Sequence, residues 1–227
     1  MGQPVASDLG YLIAGEALAR VMGVGLHKLV ASRVTEPLGI AAEMLYPGSL
    51  PLSKRSRLQR LMPPTERCHW RGKLVQGEVH DENAAAFGGV AGHAGMFATA
   101  RALARFGREM LRILEGRSTF LPLPVLQSAL SAVDGAPTCL GWQRIDGVQG
   151  VAGRRLSPQT FGGLGRTGTS LWCDPVRQLC VVLLTNRICP SRANVRINGF
   201  RPAFHDAIVA AFDLGQVLPQ ATQAQAG

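Results

Sequence analysis

The last third of the chain leaves few choices of fold. Two short apolar runs, Thr169 to Asp174 and Leu179 to Thr185, are separated by Asp174-Pro175. That dipeptide opens a turn, because proline presets φ and aspartate bonds its own backbone, so the runs read as strands paired antiparallel. A further short strand is expected at Leu140 to Ile145. After them, Pro202 to Leu214 places Phe204, Ile208, Ala211 and Phe212 on one helical side, starts with proline and stops before Gly215. Such a helix buries its apolar side by packing on the sheet. The class is α+β, an antiparallel sheet flanked by helices.

Upstream, Ser7 or Asp8 caps a first helix with Leu9, Leu12, Ile13, Leu18 and Val21 at helical spacing, a stripe expected to be buried. A second helix, Leu26 to Glu36, stops before Pro37 and Gly39. Tyr46 to Gly72 is rich in proline and arginine without a sustained period, and reads as a long surface excursion. Thr99 caps a third helix with the stripe Leu103, Phe106, Met110, Leu111 and Leu114. With 227 residues and 46% hydrophobic content, one domain over residues 1–215 is the default, followed by a Gln/Ala-rich disordered tail at 216–227.

Charge and cysteine usage narrow the partners. The net charge of +9 comes from arginines scattered along the chain, and only Lys54 to Arg60 is a local cluster, without interleaved aromatics. No specific nucleic-acid binding is expected. No 18-residue apolar run and no charged-then-apolar leader occur, so neither membrane nor secretion is expected and the chain reads as cytoplasmic. The five cysteines form no C-x-x-C pair, and free thiols are expected. Cys173 and Cys180 flank the hairpin and leave one disulfide pairing open.

Chemistry-bearing residues gather in one stretch, His80-Asp81-Glu82-Asn83, followed by Gly88 to Gly95 with His93 inside it. H-E-x-x-H is absent and no third ligand is suitably spaced, so no metal is expected. The glycines lack the G-K-[ST] ending of a phosphate loop, so no cofactor is expected either. They read as a tight, polar-capped turn that packs close to a cleft wall ahead of the Thr99 helix.

Four stretches carry a family resemblance: Ser7 to Ala19, Gly77 to Thr99, Gly163 to Pro175, and Leu179 to Arg187 with Arg201 to Ala211. Together they resemble the serine β-lactamase and penicillin-binding protein family, in particular its class C-like serine hydrolases. The resemblance implies a β-lactamase/transpeptidase-like fold lacking its N-terminal part, and ancestral hydrolysis of an ester, amide or β-lactam through an acyl-serine. In that family the lysine of S-x-x-K deprotonates the serine. Here the residues three before Lys28, Lys54 and Lys73 are Gly25, Pro51 and Trp70. The second motif falls on Ala6-Ser7-Asp8, where alanine replaces the proton-carrying tyrosine and Asp8 is either a cleft residue or a helix cap. The third falls on Gly163-Leu164-Gly165, where hydrogen replaces a basic side chain. Gly165 would let substrate approach the strand, and the Arg166 amide stands where relatives offer an oxyanion donor. The resemblance places Asp81, Asn83, Gly89 and His93 at the cleft wall, in supporting or purely structural roles.

Three functions remain open at this point. They are a truncated or degenerate hydrolase inactive without its nucleophile, a non-catalytic module on the same scaffold that binds a partner or a small-molecule acyl substrate or ligand, and a basic protein adhering to nucleic acid. A scaffold without its early strands should also expose apolar surface and need a dimer or a partner chain.

Overall fold

The computed structural model describes residues 7–131, 139–145 and 150–224. Ala6 of the second motif lies outside them. The chain packs as two compact units: Met1–Phe106 with Arg166–Thr169 and Leu184–Asn194, and Gly107–Gly165 with Ser170–Leu183 and Val195–Gly227.

The first unit begins with α1 (Asp8–Met22) and α2 (Leu26–Val30), which continues as a π-helical turn over Ala31–Thr35. Then come β1 (Met44–Leu45), α3 (Leu52–Gln59), β2 (Pro64–Cys68), β3 (Lys73–Gln76), α4 (Glu82–Ala86) and β4 (Phe97–Ala98). Strand β1 pairs antiparallel with β4, and β2 with β3. Thr99 caps α5 (Ala100–Leu114) as expected, its hydroxyl accepting the Ala102 amide at 3.1 Å.

Two expectations for this unit are corrected. The α1 stripe is not buried: Leu9, Ile13, Leu18 and Val21 are 61%, 67%, 53% and 83% exposed, and the buried residue is Gly15. Tyr46 to Gly72 is no surface excursion, since it holds α3 and β2 and buries Tyr46, Pro47, Thr65, Glu66 and Cys68. Its polar residues mask the strand because their partners lie far away in sequence. Asn186 Nδ2, for example, donates to the Pro64 carbonyl at 2.7 Å.

In the second unit, α6 (Leu123–Leu130) precedes a four-stranded sheet of β5 (Gln143–Arg144), β6 (Phe161–Leu164), β7 (Ser170–Asp174) and β8 (Leu179–Leu183). The order is β5-β6-β7-β8 with every pair antiparallel, and Asp174 stands opposite Leu179. The Asp174-Pro175 hairpin is therefore present. The expected strand over Leu140 to Ile145 shrinks to two residues. Asp174 is fully buried and holds the turn together, accepting from the Ser157 hydroxyl and amide and from the amides of Val176 and Arg177 at 2.7–3.1 Å. Burial opposes its charge, but those donors and the Arg177 guanidinium outweigh it and hold the carboxyl below its ordinary range.

The last helix, α7, runs Ile197–Ala224, beginning before Pro202 and continuing past Gly215 through residues read as tail. Its buried side is Arg201, His205 and Val209, not the side carrying Ile208 and Ala211, which are exposed. The rotation has a polar cause. His205 Nε2 meets the Ser170 hydroxyl of β7 at 3.1 Å, and Asp206 accepts the Arg154 and Arg155 amides at 2.7 and 3.0 Å. Val209 then completes a core with Ala152, Leu156 and the fully buried Trp172. All five cysteines are free thiols. Among the described residues no single helix is long and apolar enough to cross a membrane.

Candidate functional site

The chemistry-bearing stretch of the first unit is organised by α4. Asp81 is its N-cap, its Oδ1 accepting the Ala84 amide at 2.8 Å. The same oxygen meets His93 Nε2 at 2.9 Å, so the turn carrying His93 is tied to the helix start. Burial opposes the Asp81 charge, yet the Ala84 amide and His93 outweigh it and hold the carboxyl below its usual range. Gly89 has φ +85°, and a Cβ placed on the nearby Gly95 would lie 2.2 Å from the Gly89 carbonyl oxygen. The glycine run thus packs backbone on backbone, with the Tyr46 hydroxyl donating to the Ala91 carbonyl at 3.3 Å. Asp81 and His93 are brought together, Gly89 donates its amide to the Ala84 carbonyl of α4 at 2.8 Å, and Asn83 is exposed on α4.

Beside them lies a cluster that sequence reasoning missed. In β2, Glu66 and Cys68 are two residues apart and so face the same way, both buried at 3% exposure. Arg192 grips Glu66 with both arms, Nε to Oε2 at 3.1 Å and Nη2 to Oε1 at 2.7 Å, and reaches Glu82 Oε1 at 2.8 Å. Those bonds hold Glu66 and Glu82 below the ordinary carboxylate range and push Arg192 higher still. His80 Nε2 lies against the same carboxylate, 3.0 Å from Glu66 Oε1, in a buried pair. Arg71 stacks over Trp70 and donates to the carbonyls of Val79, His80 and Asp81. A cavity of about 680 Å³ opens here, lined by Glu66, Cys68, Trp70, Glu82, Pro190 and Arg192 among others. Burial does not alternate through Pro64 to Cys68, where the pairing register shifts between Pro64 and Arg67, so the strand has no period-2 signal. Nothing in sequence ties Arg192, some 110 residues on, to Glu82.

The remaining candidates stand apart. Asp8 is the exposed first residue of α1, where a carboxylate suits the helix N-terminus, and Ser7 is the N-cap residue without a side-chain cap bond. Arg166 is exposed, with its carbonyl accepting from Arg187 Nε at 3.0 Å. Gly163 and Gly165 belong to the second unit. Gly163 sits on β6 opposite Leu171, and a Cβ there would meet nothing within 4 Å.

The Ser170–His205 contact has the look of a nucleophile and its base, but both residues are sealed, at 2% and 0% exposure. Burial first, then the Arg201 charge, push the His205 pKa down to about 4. That ring is a weak base with no route to substrate.

With this geometry in place, the comparisons with known proteins agree with one another. The family model described as Beta-lactamase matches residues 6–198. A putative D-alanyl-D-alanine carboxypeptidase of Salmonella heidelberg is 30% identical over 210 residues, covering 86% of this chain and 48% of that protein. The chain therefore spans about half the length of the curated relatives it matches. Among solved structures, a β-lactamase from Mycobacterium bovis superposes with a TM-score of 0.63 at 20% identity, covering 92% of this chain and 65% of the other. A simvastatin synthase mutant from Aspergillus terreus does so with 0.62 at 17%, covering 89% and 54%. These structures share the β-lactamase/transpeptidase-like fold with this one, and the chain belongs to the Beta-lactamase family.

Proposed function

We propose that this chain forms part of an acyl-serine hydrolase acting on an ester, amide or β-lactam, and that on its own it performs no acyl transfer. The observation that carries this is the absence of any serine three residues before Lys28, Lys54 or Lys73. Without that pair there is no activated hydroxyl, because a free serine is too weak a nucleophile. Gly163 supports the same reading. Its strand position has room for the basic side chain of the third motif and carries none. The exposed stripe on α1 supports a partner segment that brings the nucleophile and covers Leu9, Ile13, Leu18 and Val21. The Salmonella relative's name makes a D-alanyl-D-alanine amide the first acyl donor to try.

The test is an acylation assay on the 227-residue chain with a fluorescent penicillin, p-nitrophenyl acetate and a D-alanyl-D-alanine peptide, read by intact mass. No covalent adduct and no turnover above buffer are expected, and an adduct mapped to any serine overturns the proposed inactivity. The intact mass of the protein from its native cell tests the partner segment. A value clearly above 24.2 kDa, with Ser-x-x-Lys in the extension, supports it. A value of 24.2 kDa favours a ligand-binding module on the same scaffold.

A further inference from the structure

The β7–β8 hairpin and α5 bring two thiols to one point, a feature that the proposed hydrolysis does not use. Cys173 of β7 and Cys180 of β8 stand directly opposite each other in the antiparallel register. Directly paired residues send their side chains to the same side of a sheet, and here that side meets Gly107 of α5. A Cβ placed on Gly107 would lie 2.4 Å from Cys180 Sγ and 3.1 Å from Cys173 Sγ, so glycine leaves the room that both sulfurs fill. Cys173 Sγ also donates to the Gly107 carbonyl at 3.6 Å. Cys173 is fully buried, whereas Cys180 keeps part of its surface in solvent. The contact with Cys173 lowers the Cys180 pKa, while the same contact first, and burial second, raise that of Cys173. One thiol is thus the more exposed and the easier to ionise, and the other is its covered neighbour.

We propose that Cys173 and Cys180 form a reversible dithiol–disulfide pair, oxidised by a small-molecule disulfide of the glutathione type. The Cys180 thiolate attacks one sulfur of that disulfide, the external S–S bond breaks, and one thiol leaves with the proton Cys180 gave up. Cys173 then loses its Sγ proton and attacks Cys180 Sγ in the mixed disulfide, expelling the second thiol, which takes that proton. Two cysteine thiols are oxidised and one external disulfide is reduced to two thiols. Cross-strand Cα atoms about 4.5–5.5 Å apart are within the span a disulfide bridges. Their Cβ atoms start about 4.5–5.5 Å apart, whereas a relaxed disulfide holds them at about 3.8 Å. Closing the bond therefore draws β7 and β8 together locally, and a disulfide under such strain is readily reopened by small thiols.

The test uses the 227-residue chain, reduced and then equilibrated without denaturant in glutathione buffers from reducing to oxidising, with remaining thiols alkylated before digestion. Trypsin cuts after Arg177, which leaves Cys173 in Thr167–Arg177 and Cys180 in Gln178–Arg187. The expected product is these two peptides joined by a disulfide, and reduced glutathione should return them to separate alkylated peptides. Cys173→Ser should leave Cys180 carrying one glutathione, whereas Cys180→Ser should slow glutathione uptake at Cys173 by about tenfold or more relative to Cys180. Far-UV circular dichroism confirms that each variant is folded. If either does not fold, the joined peptides of the unsubstituted chain decide. Three results overturn the pair: both thiols alkylated in the most oxidising buffer, either one joined instead to Cys68, Cys139 or Cys189, or a bond that reduced glutathione fails to reopen. None of them bears on acylation, so the thiol pair and the proposed hydrolase role fail separately.

Discussion

His205 shows how one buried residue sets a pH limit on stability. An unfolded chain protonates this ring below its ordinary pKa of 6.5, while the folded ring resists until about pH 4. Between those values the unfolded state binds more protons, so stability falls as pH drops from 6.5 towards 4 and this contribution is exhausted below that. The carboxylates held below their ordinary range, Glu66, Asp81, Glu82 and Asp174, lose stabilisation only at lower pH, as they protonate. Urea midpoints should therefore decline already between pH 6.5 and 5, and His205→Gln should flatten that decline. An unchanged slope in the variant would rule His205 out as its source. None of this was legible beforehand, because helical spacing ranks Phe204 and Ile208 as the inward side of α7. A histidine turns inward only where a partner such as Ser170 waits on another element.

At the scale of elements, α1 rests on the glycine run through backbone rather than side chains. A Cβ on Gly92 would lie 2.0 Å from the Tyr11 carbonyl oxygen, and one on Gly15 would come within 3.1 Å of Gly92 Cα. Gly92→Ala must push helix and turn apart, at a cost of about 1–3 kcal/mol typical of overpacking. A denaturation midpoint matching the unsubstituted chain would show that the contact carries no weight. A tight turn at Gly88 to Gly95 and the Thr99 cap were legible, because glycine and threonine announce their geometry locally. The sequence reading failed on β2 and on the Glu66–Arg192 cluster for the converse reason. Glu66 looks like a surface residue until the distant Arg192 pairs with it, and Thr65 until its hydroxyl donates to the Val75 carbonyl of β3. The apolar stripe of α1 was read correctly as a stripe and wrongly as buried, since periodicity says which side is apolar but not whether anything covers it.

For the whole molecule, that uncovered stripe sits on a chain of net charge +9. Two forces then compete. Apolar area on α1 favours association at roughly 25 cal/mol per Å² buried, while uniform positive charge resists it over a screening length of about 10 Å at 0.1 M salt. Raising ionic strength weakens only the second, so the isolated chain should associate more as salt is added. The opposite trend is expected if association runs through charge. Light scattering after size exclusion should find species above monomer, growing between low and moderate salt. The double substitution Ile13→Glu and Val21→Lys, at positions 67% and 83% exposed, should return the chain to monomer without altering its circular dichroism. A partner segment bearing the nucleophile would have the same effect by covering the face. Were the unsubstituted chain monomeric at all salt concentrations with a single cooperative unfolding transition, the exposed helix would need no cover, and the case for a partner segment would rest on the missing serine–lysine pair alone.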